Sequence, residues 1–231
     1  MRHTLAVLAC SIGFAGAATA QHTGTVVELY TSQGCSSCPP ADHLLAQLAD
    51  HDGVIALALH VDYWDYIGWA DDLAQPAFTD RQRGYAHKWN APNLYTPQMV
   101  IAGTEDVVGS DTADVMMHLA RHQATPYPVV VDAVWRGDGL FIAAHAEGAV
   151  PDRATVQIVT LEPSVTRDIT RGENAGKTIE YRNVVTDWTV AGDWMTADAL
   201  DMSVPLERAG PIVVIVQDGT DGPILGAVKL P

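Results

Sequence analysis

The sequence predicts two units in series, an α/β unit followed by an all-β unit, behind a short N-terminal leader. Two observations carry this. A strand–helix–strand pattern surrounds Cys35-Ser36-Ser37-Cys38, and after Pro126 the helical spacing gives way to short β-type runs separated by turn residues. With 231 residues, 48% of them hydrophobic, the chain has ample material for a buried core.

The leader comes first. Arg2 and His3 precede an apolar run from Leu5 to Phe14, and Ala18-Thr19-Ala20 offers a small-x-small cleavage site before Gln21. Residues 1–20 therefore read as a secretory signal peptide, which would place the protein in the periplasm or outside the cell. A lipoprotein reading through Val7-Leu8-Ala9-Cys10 fails because the apolar run before the cysteine is too short. Cleavage removes Cys10 and leaves Cys35 and Cys38 for an oxidising compartment. A formal charge of −15 repels phosphate backbones and excludes nucleic acid as a partner class. No later apolar run approaches the ~20 residues of a membrane span.

In the α/β unit, residues 21–125, Thr25 to Tyr30 is β-rich and alternating and reads as a strand. Pro39 and Pro40 suit the first turn of a helix, whose apolar face is Ala41, Leu44, Leu45 and Leu48. Val54 to Val61 is a second strand, which makes a β-α-β unit with a parallel pair. The cysteines thus lie at a strand-to-helix junction, where unpaired N–H groups and the helix dipole favour a thiolate. Cys35 is expected to be the exposed nucleophile and Cys38 the shielded resolving thiol. Half of a zinc site and a structural disulfide remain alternatives, although a loop this short restrains the unfolded chain little.

Tyr95-Thr96-Pro97-Gln98 stands before the apolar run Met99-Val100-Ile101. With the cysteines present, a cis Thr96–Pro97 bond is expected, because in thioredoxin-like folds a cis-proline loop lies against the CxxC and pairs with the substrate backbone. Glu28 interrupts the first strand; it reads either as a proton relay for the dithiol or as a solvated or ion-paired carboxylate. His60, near the end of the second strand, is a candidate base or third metal ligand, or simply a packed side chain. Between the second strand and the Thr96-Pro97 loop lies an aromatic stretch that includes Tyr63, Trp64, Tyr66 and Trp69. It reads as core with a capping loop, or as a lid in which Trp64 and Trp69 join Thr96 in substrate binding. Thr112 to His122, capped by Ser110 or Asp111, ends the unit as a helix.

In the second unit, residues 126–231, β-type runs recur from Val129 to Trp135, Leu140 to Ala146, Thr155 to Leu161, Thr178 to Val185, Ala199 to Pro205, Ile212 to Gln217 and Ile224 to Leu230. Turn clusters such as Gly137-Asp138-Gly139 separate them, as in an antiparallel β-sandwich. Glu173 and Asn174, between glycines, read as turn residues. The edges of such a unit would suit partner binding or a homodimer.

The string Val27-Glu28-Leu29-Tyr30-Thr31-Ser32-Gln33-Gly34-Cys35-Ser36-Ser37-Cys38-Pro39-Pro40-Ala41-Asp42 resembles the opening of a family of secreted bacterial proteins of unknown function with a thioredoxin-like domain. So do His60-Val61-Asp62-Tyr63-Trp64-Asp65-Tyr66-Ile67-Gly68-Trp69, Arg81-Gln82, Tyr95-Thr96-Pro97-Gln98, the segment Arg171 to Lys177 and Asn183-Val184-Val185. The resemblance implies an α/β thioredoxin-like domain followed by an antiparallel β-sandwich-like domain, a CxxC and export. Gly34 replaces the aromatic residue usual in thioredoxins, and Ser36-Ser37 replaces Gly-Pro. The function expected is thiol–disulfide exchange with exported proteins that carry thiols or disulfides. In it Cys35 and Cys38 react, Pro97 positions the partner and Glu28 moves a proton, without a dissociable cofactor. The alternatives are a Cu(I)-handling module built from Cys35, Cys38 and His60, and a non-catalytic scaffold.

Overall fold

A computed structural model describes residues 21–231, so the leader reading falls outside the described residues. The chain runs β1 (His22–Thr23), β2 (Thr25–Thr31), α1 (Pro39–Ala49), β3 (Val54–His60), a 3-10 turn (Asp65–Ile67) and α2 (Pro76–Lys88). It continues through β4 (Gln98–Ile101), β5 (Glu105–Val108), α3 (Thr112–Gln123), β6 (Val129–Arg136), β7 (Gly139–Ala146) and β8 (Arg153–Ile169). Last come β9 (Lys177–Met195), β10 (Leu200–Pro205), β11 (Ile212–Gln217) and β12 (Ile224–Leu230). No helix among the described residues is long and apolar enough to cross a membrane.

Each helix begins as its sequence dictates. Pro39 opens α1 and Pro76 opens α2, positions where the missing N–H has no helical partner to lose. Asp111 caps α3 by accepting from the Asp114 N–H. Strands β2 and β3 pair in parallel from Thr25↔Val54 to Thr31↔His60, and β4 joins β2 antiparallel with Tyr30↔Gln98. Both β2 and β3 are buried along their whole length, because helices cover both faces of the sheet. Val27, Leu29, Ala56 and Ala58 face α1 and α3, while Val26, Tyr30, Leu57 and Leu59 face the Phe78 and Tyr85 side chains of α2.

The expected α/β thioredoxin-like domain followed by an antiparallel β-sandwich is not what the chain builds. Strands hold 45% of the described residues and helices 18%. One curled, mixed, nine-stranded sheet runs β1-β12-β11-β8-β9-β3-β2-β4-β5, and only β10-β7-β6 form a separate, three-stranded sheet. The weld is β9, which pairs in parallel with β3 at Ala58↔Val184. Side chains bury accordingly: Tyr181 and Val184 pack with Val27 and Leu29, and Val159, Leu161, Val185, Val213 and Ile215 pack with Val26 and Tyr30. The later strands thus complete the core that the earlier ones begin. Strands β8 and β9 also outrun their expected lengths, at 17 and 19 residues, pairing as far as Ile169↔Lys177. That extension carries the segment 170–176 over the start of α1.

Candidate functional site

Cys35 and Cys38 are joined by a disulfide whose Cα atoms lie 5.4 Å apart. Chain geometry explains the pairing. The Cys35 N–H donates to Ser32 O (3.1 Å) and the Cys38 N–H to Cys35 O (3.2 Å), folding the loop tightly. The Cys38 carbonyl then accepts from the N–H groups of Ala41 (2.8 Å) and Asp42 (3.0 Å) and so starts α1. Ser36 and Ser37 are exposed at the tip. The cysteines are not: each has 0% exposure. The expectation of a solvent-exposed Cys35 is therefore corrected.

The cover is polar and specific. Asn174, 1% exposed, donates from Nδ2 to the carbonyls of Gln33 and Cys35, both at 2.9 Å. Lys177 Nζ donates to Asn174 Oδ1 at 2.8 Å and fixes the amide's orientation. Gln33 donates its backbone N–H and Nε2 to Asp71, each at 2.8 Å, and accepts from Trp69 Nε1 at 2.7 Å. Trp64 packs beside Gly34, next to the loop. Its Cβ lies 3.3 Å from where a Gly34 Cβ would stand, and its indole N–H donates to Thr96 Oγ1 at 2.8 Å. A side chain at Gly34 would crowd Trp64 by a few tenths of an ångström. The structure brings Trp64, Trp69 and Thr96 around the cysteine loop. Pro97 follows Thr96 in a cis bond, is buried, and accepts from the Gly109 N–H at 2.9 Å.

Glu28 belongs elsewhere. It alternates with Val27 and Leu29, which face α1, and so points to the opposite side of the sheet, toward α2. There its fully buried carboxylate accepts from Arg81 Nε (2.7 Å) and Nη2 (2.9 Å), from Tyr85 OH (2.8 Å) and from Tyr30 OH (3.0 Å). Burial and the adjoining carboxylate push both tyrosines well above their usual range. Of the two readings of Glu28, the structure shows the ion pair, with Arg81 on the sheet face opposite α1.

Buried ionisable groups on the α1 side include His60, Asp42, Asp71 and Tyr181. His60 Nδ1 lies 2.7 Å from Asp71 Oδ2, both side chains fully buried, and the His60 ring meets Tyr181 edge-on at 4.7 Å. Asp42, 4% exposed, accepts from Thr31 Oγ1 at 2.7 Å. Burial lifts its carboxyl to about 7, against the pull of Thr31 and His60. Asp42 borders a cleft of about 470 Å³ with Pro39, His43, Lys177, Glu180 and Arg182. Sequence reasoning passed over Asp42, although its place four residues after Cys38 puts it one helical turn on. It read Asn174 as a turn residue, and nothing local marks Tyr181.

For copper, the two sulfurs are bonded to each other and His60 Nδ1 is held by Asp71. Among the described residues no group of three or more His, Cys, Asp or Glu side chains is placed to hold a metal ion.

Comparison with known proteins gives a family without a reaction. Residues 26–217 match the model described as "Protein of unknown function (DUF1223)". A crystal structure of an Agrobacterium tumefaciens protein is similar at 30% identity and a TM-score of 0.78, over 90% of this chain and 94% of that one. HBP35 of Porphyromonas gingivalis shares the fold at 11% identity and a TM-score of 0.57, over 92% of this chain and 76% of that one. No curated protein matches.

Proposed function

We propose, for a chain that belongs to the DUF1223 family, a thiol–disulfide exchange protein whose working bond is Cys35–Cys38. The observation that carries this is where the bond lies. It closes a loop of four residues at the first turn of α1, beside a buried carboxyl group. So short a loop removes little entropy from the unfolded chain, so the bridge contributes little as a staple. At a helix N-terminus, backbone dipoles stabilise whichever sulfur leaves as thiolate.

In this reading a partner thiolate attacks Cys35 and displaces Cys38, and the mixed disulfide is resolved at Cys38 when electrons flow the other way. Because both cysteines are sealed, exchange follows displacement of the Asn174 and Trp64 cover. Trp64, Trp69 and Thr96 then border the partner, and Pro97 fixes the loop that carries Thr96. The leader read at residues 1–20 supports export, and with it partners among exported proteins.

The complete burial of both cysteines favours a second reading, a structural bridge in a binding scaffold. Trapping separates the two. With Cys38→Ser, the exchange reading expects Cys35 to hold disulfide-linked partner proteins that reducing agent releases, while wild type exchanges with a dithiol substrate when folded. A wild-type bond that opens only on unfolding, and a variant without adducts, would establish the bridge.

A further inference from the structure

The two sheets end beside each other on free strand edges. Strand β1 closes one end of the nine-stranded sheet, and β6 closes one end of the three-stranded sheet. Among the described residues no backbone pairing joins them; instead the Gln21 side chain donates from Nε2 to Ala133 O at 2.7 Å. Thr23 of β1, Val129 to Asp132 of β6, Tyr127 and Ala227 line a cavity of about 630 Å³. Thr25 and Gly53 border it too, so it stands at the start of β2 and β3, whereas the cysteines follow the end of β2.

The free edge of β6 has a fixed hydrogen-bonding phase. The Glu147 N–H donates to Pro128 O at 2.8 Å, and the β6–β7 register continues from there with Val129↔Ala146. Bonded and non-bonded pairs alternate in an antiparallel ladder. Val130 and Asp132 therefore exchange bonds with β7, while Val129, Val131 and Ala133 turn their N–H and C=O groups outward. The Gln21 bond to Ala133 O has the same phase. The Val129 carbonyl meets β12, since a Cβ on Gly226 would stand 2.5 Å from its oxygen. Val131 keeps both groups open although it is only 4% exposed, and no described residue pairs with its N–H or its C=O. Buried backbone groups are almost always paired, so an open pair beside a cavity marks where another backbone fits.

We propose that this slot takes an extended segment of another polypeptide, which adds to the free edge of β6 as a further strand. Main-chain bonds to Val131 hold the segment, and the lining selects its side chains. Val130, Ala227 and the ring of Tyr127, whose hydroxyl accepts from the Val26 N–H at 3.1 Å, suit small or β-branched apolar residues. Among the described residues that line the slot none is lysine or arginine, and the exposed Asp52 and Asp132 stand at its mouth. Burial and the neighbouring Arg121 hold His122 below the usual histidine range, so it adds no positive charge at neutral pH. On a chain of net charge −15, such a slot favours a segment flanked by lysine or arginine and disfavours an acidic one. The seven residues of β2 separate the slot from the cysteine loop by about 20 Å at the rise of a strand. Binding here is therefore independent of disulfide exchange.

The test is fluorescence anisotropy of the full chain with a labelled peptide, Lys-Val-Thr-Val-Thr-Val, blocked at both ends. Saturable binding is expected, weakened when alternate peptide nitrogens are methylated or when glutamate replaces the lysine. Val131→Pro removes the outward N–H and spares the ladder to β7, a change that an edge strand tolerates. It is expected to weaken binding by about 10-fold, the upper worth of one backbone hydrogen bond. Thr23→Trp, at an exposed position of β1, fills the slot; it is expected to abolish binding and to leave the rate of disulfide reduction unchanged. Should Val131→Pro not fold, Thr23→Trp carries the test. No binding by wild type, equal binding of the methylated peptide, or binding that survives either substitution in a folded protein overturns the proposal. So does a concentration-dependent dimer that Thr23→Trp abolishes while no peptide binds, which would give the edge to a second copy of this chain.

Discussion

Replacing Asn174 by alanine should uncover the disulfide. The side chain gives up two hydrogen bonds, to Gln33 O and Cys35 O, and frees Lys177 from its Asn174 contact. Each neutral bond contributes about 0.5–1.5 kcal/mol net, so the closed cover loses about 1–3 kcal/mol. Opening then rises by about 5- to 150-fold. Where the cover opens and recloses faster than thiol attack, the reduction rate scales with the opening equilibrium and rises by the same factor. The assay is reduction of the native protein by dithiothreitol at fixed pH, quenched by alkylation and read by mass. A urea melt keeps local opening apart from global destabilisation. An unchanged rate in a normally folded Asn174→Ala protein would refute the idea that this loop seals the sulfurs.

Two further outcomes concern the two faces of the sheet. Arg81→Met removes both guanidinium bonds to the fully buried Glu28 and leaves an uncompensated charge. A loss of about 3–5 kcal/mol is expected in urea melts at neutral pH, and a near-neutral effect would contradict the arrangement around Glu28. For Asp42 the sign runs the other way from an ordinary paired carboxylate. Burial raises it from 3.8 to about 7 in the folded chain, so the folded state binds the proton more tightly than the unfolded one. Its stabilising contribution is full below pH ~4 and lost as pH rises toward 7, a swing of about 4 kcal/mol at 1.36 kcal/mol per unit. Melts at pH 4 and pH 7.5 should show this swing in wild type and not in Asp42→Asn.

Local elements were legible because local chemistry decides them. Pro39-Pro40 and the Ala41, Leu44, Leu45, Leu48 spacing set α1, and Gly137, at φ 59°, turns β6 into β7. What was not legible was which strand sits beside which. The single Ala58↔Val184 pairing joins β3 to β9, yet alternation within Thr178 to Val185 is the same whether its neighbour is β3 or a sandwich strand. Pro163 inside β8 reads as a break, which hid how far the β8–β9 ribbon extends over α1. The side to which Glu28 points was hidden for a related reason. On a strand buried on both faces, apolar residues occupy every other position on either side and do not say which side meets the helix. Asp42 could have been found from its spacing to Cys38. Asn174 could not, since its contact with Cys35 spans 139 residues.

The most direct measurement is the reduction potential of the Cys35–Cys38 couple in the folded full-length protein, by equilibration with thiol–disulfide buffers. The account predicts a reversible two-electron couple above about −300 mV, within reach of exchange with other proteins. A bond that stays closed below that value until the chain unfolds would contradict it.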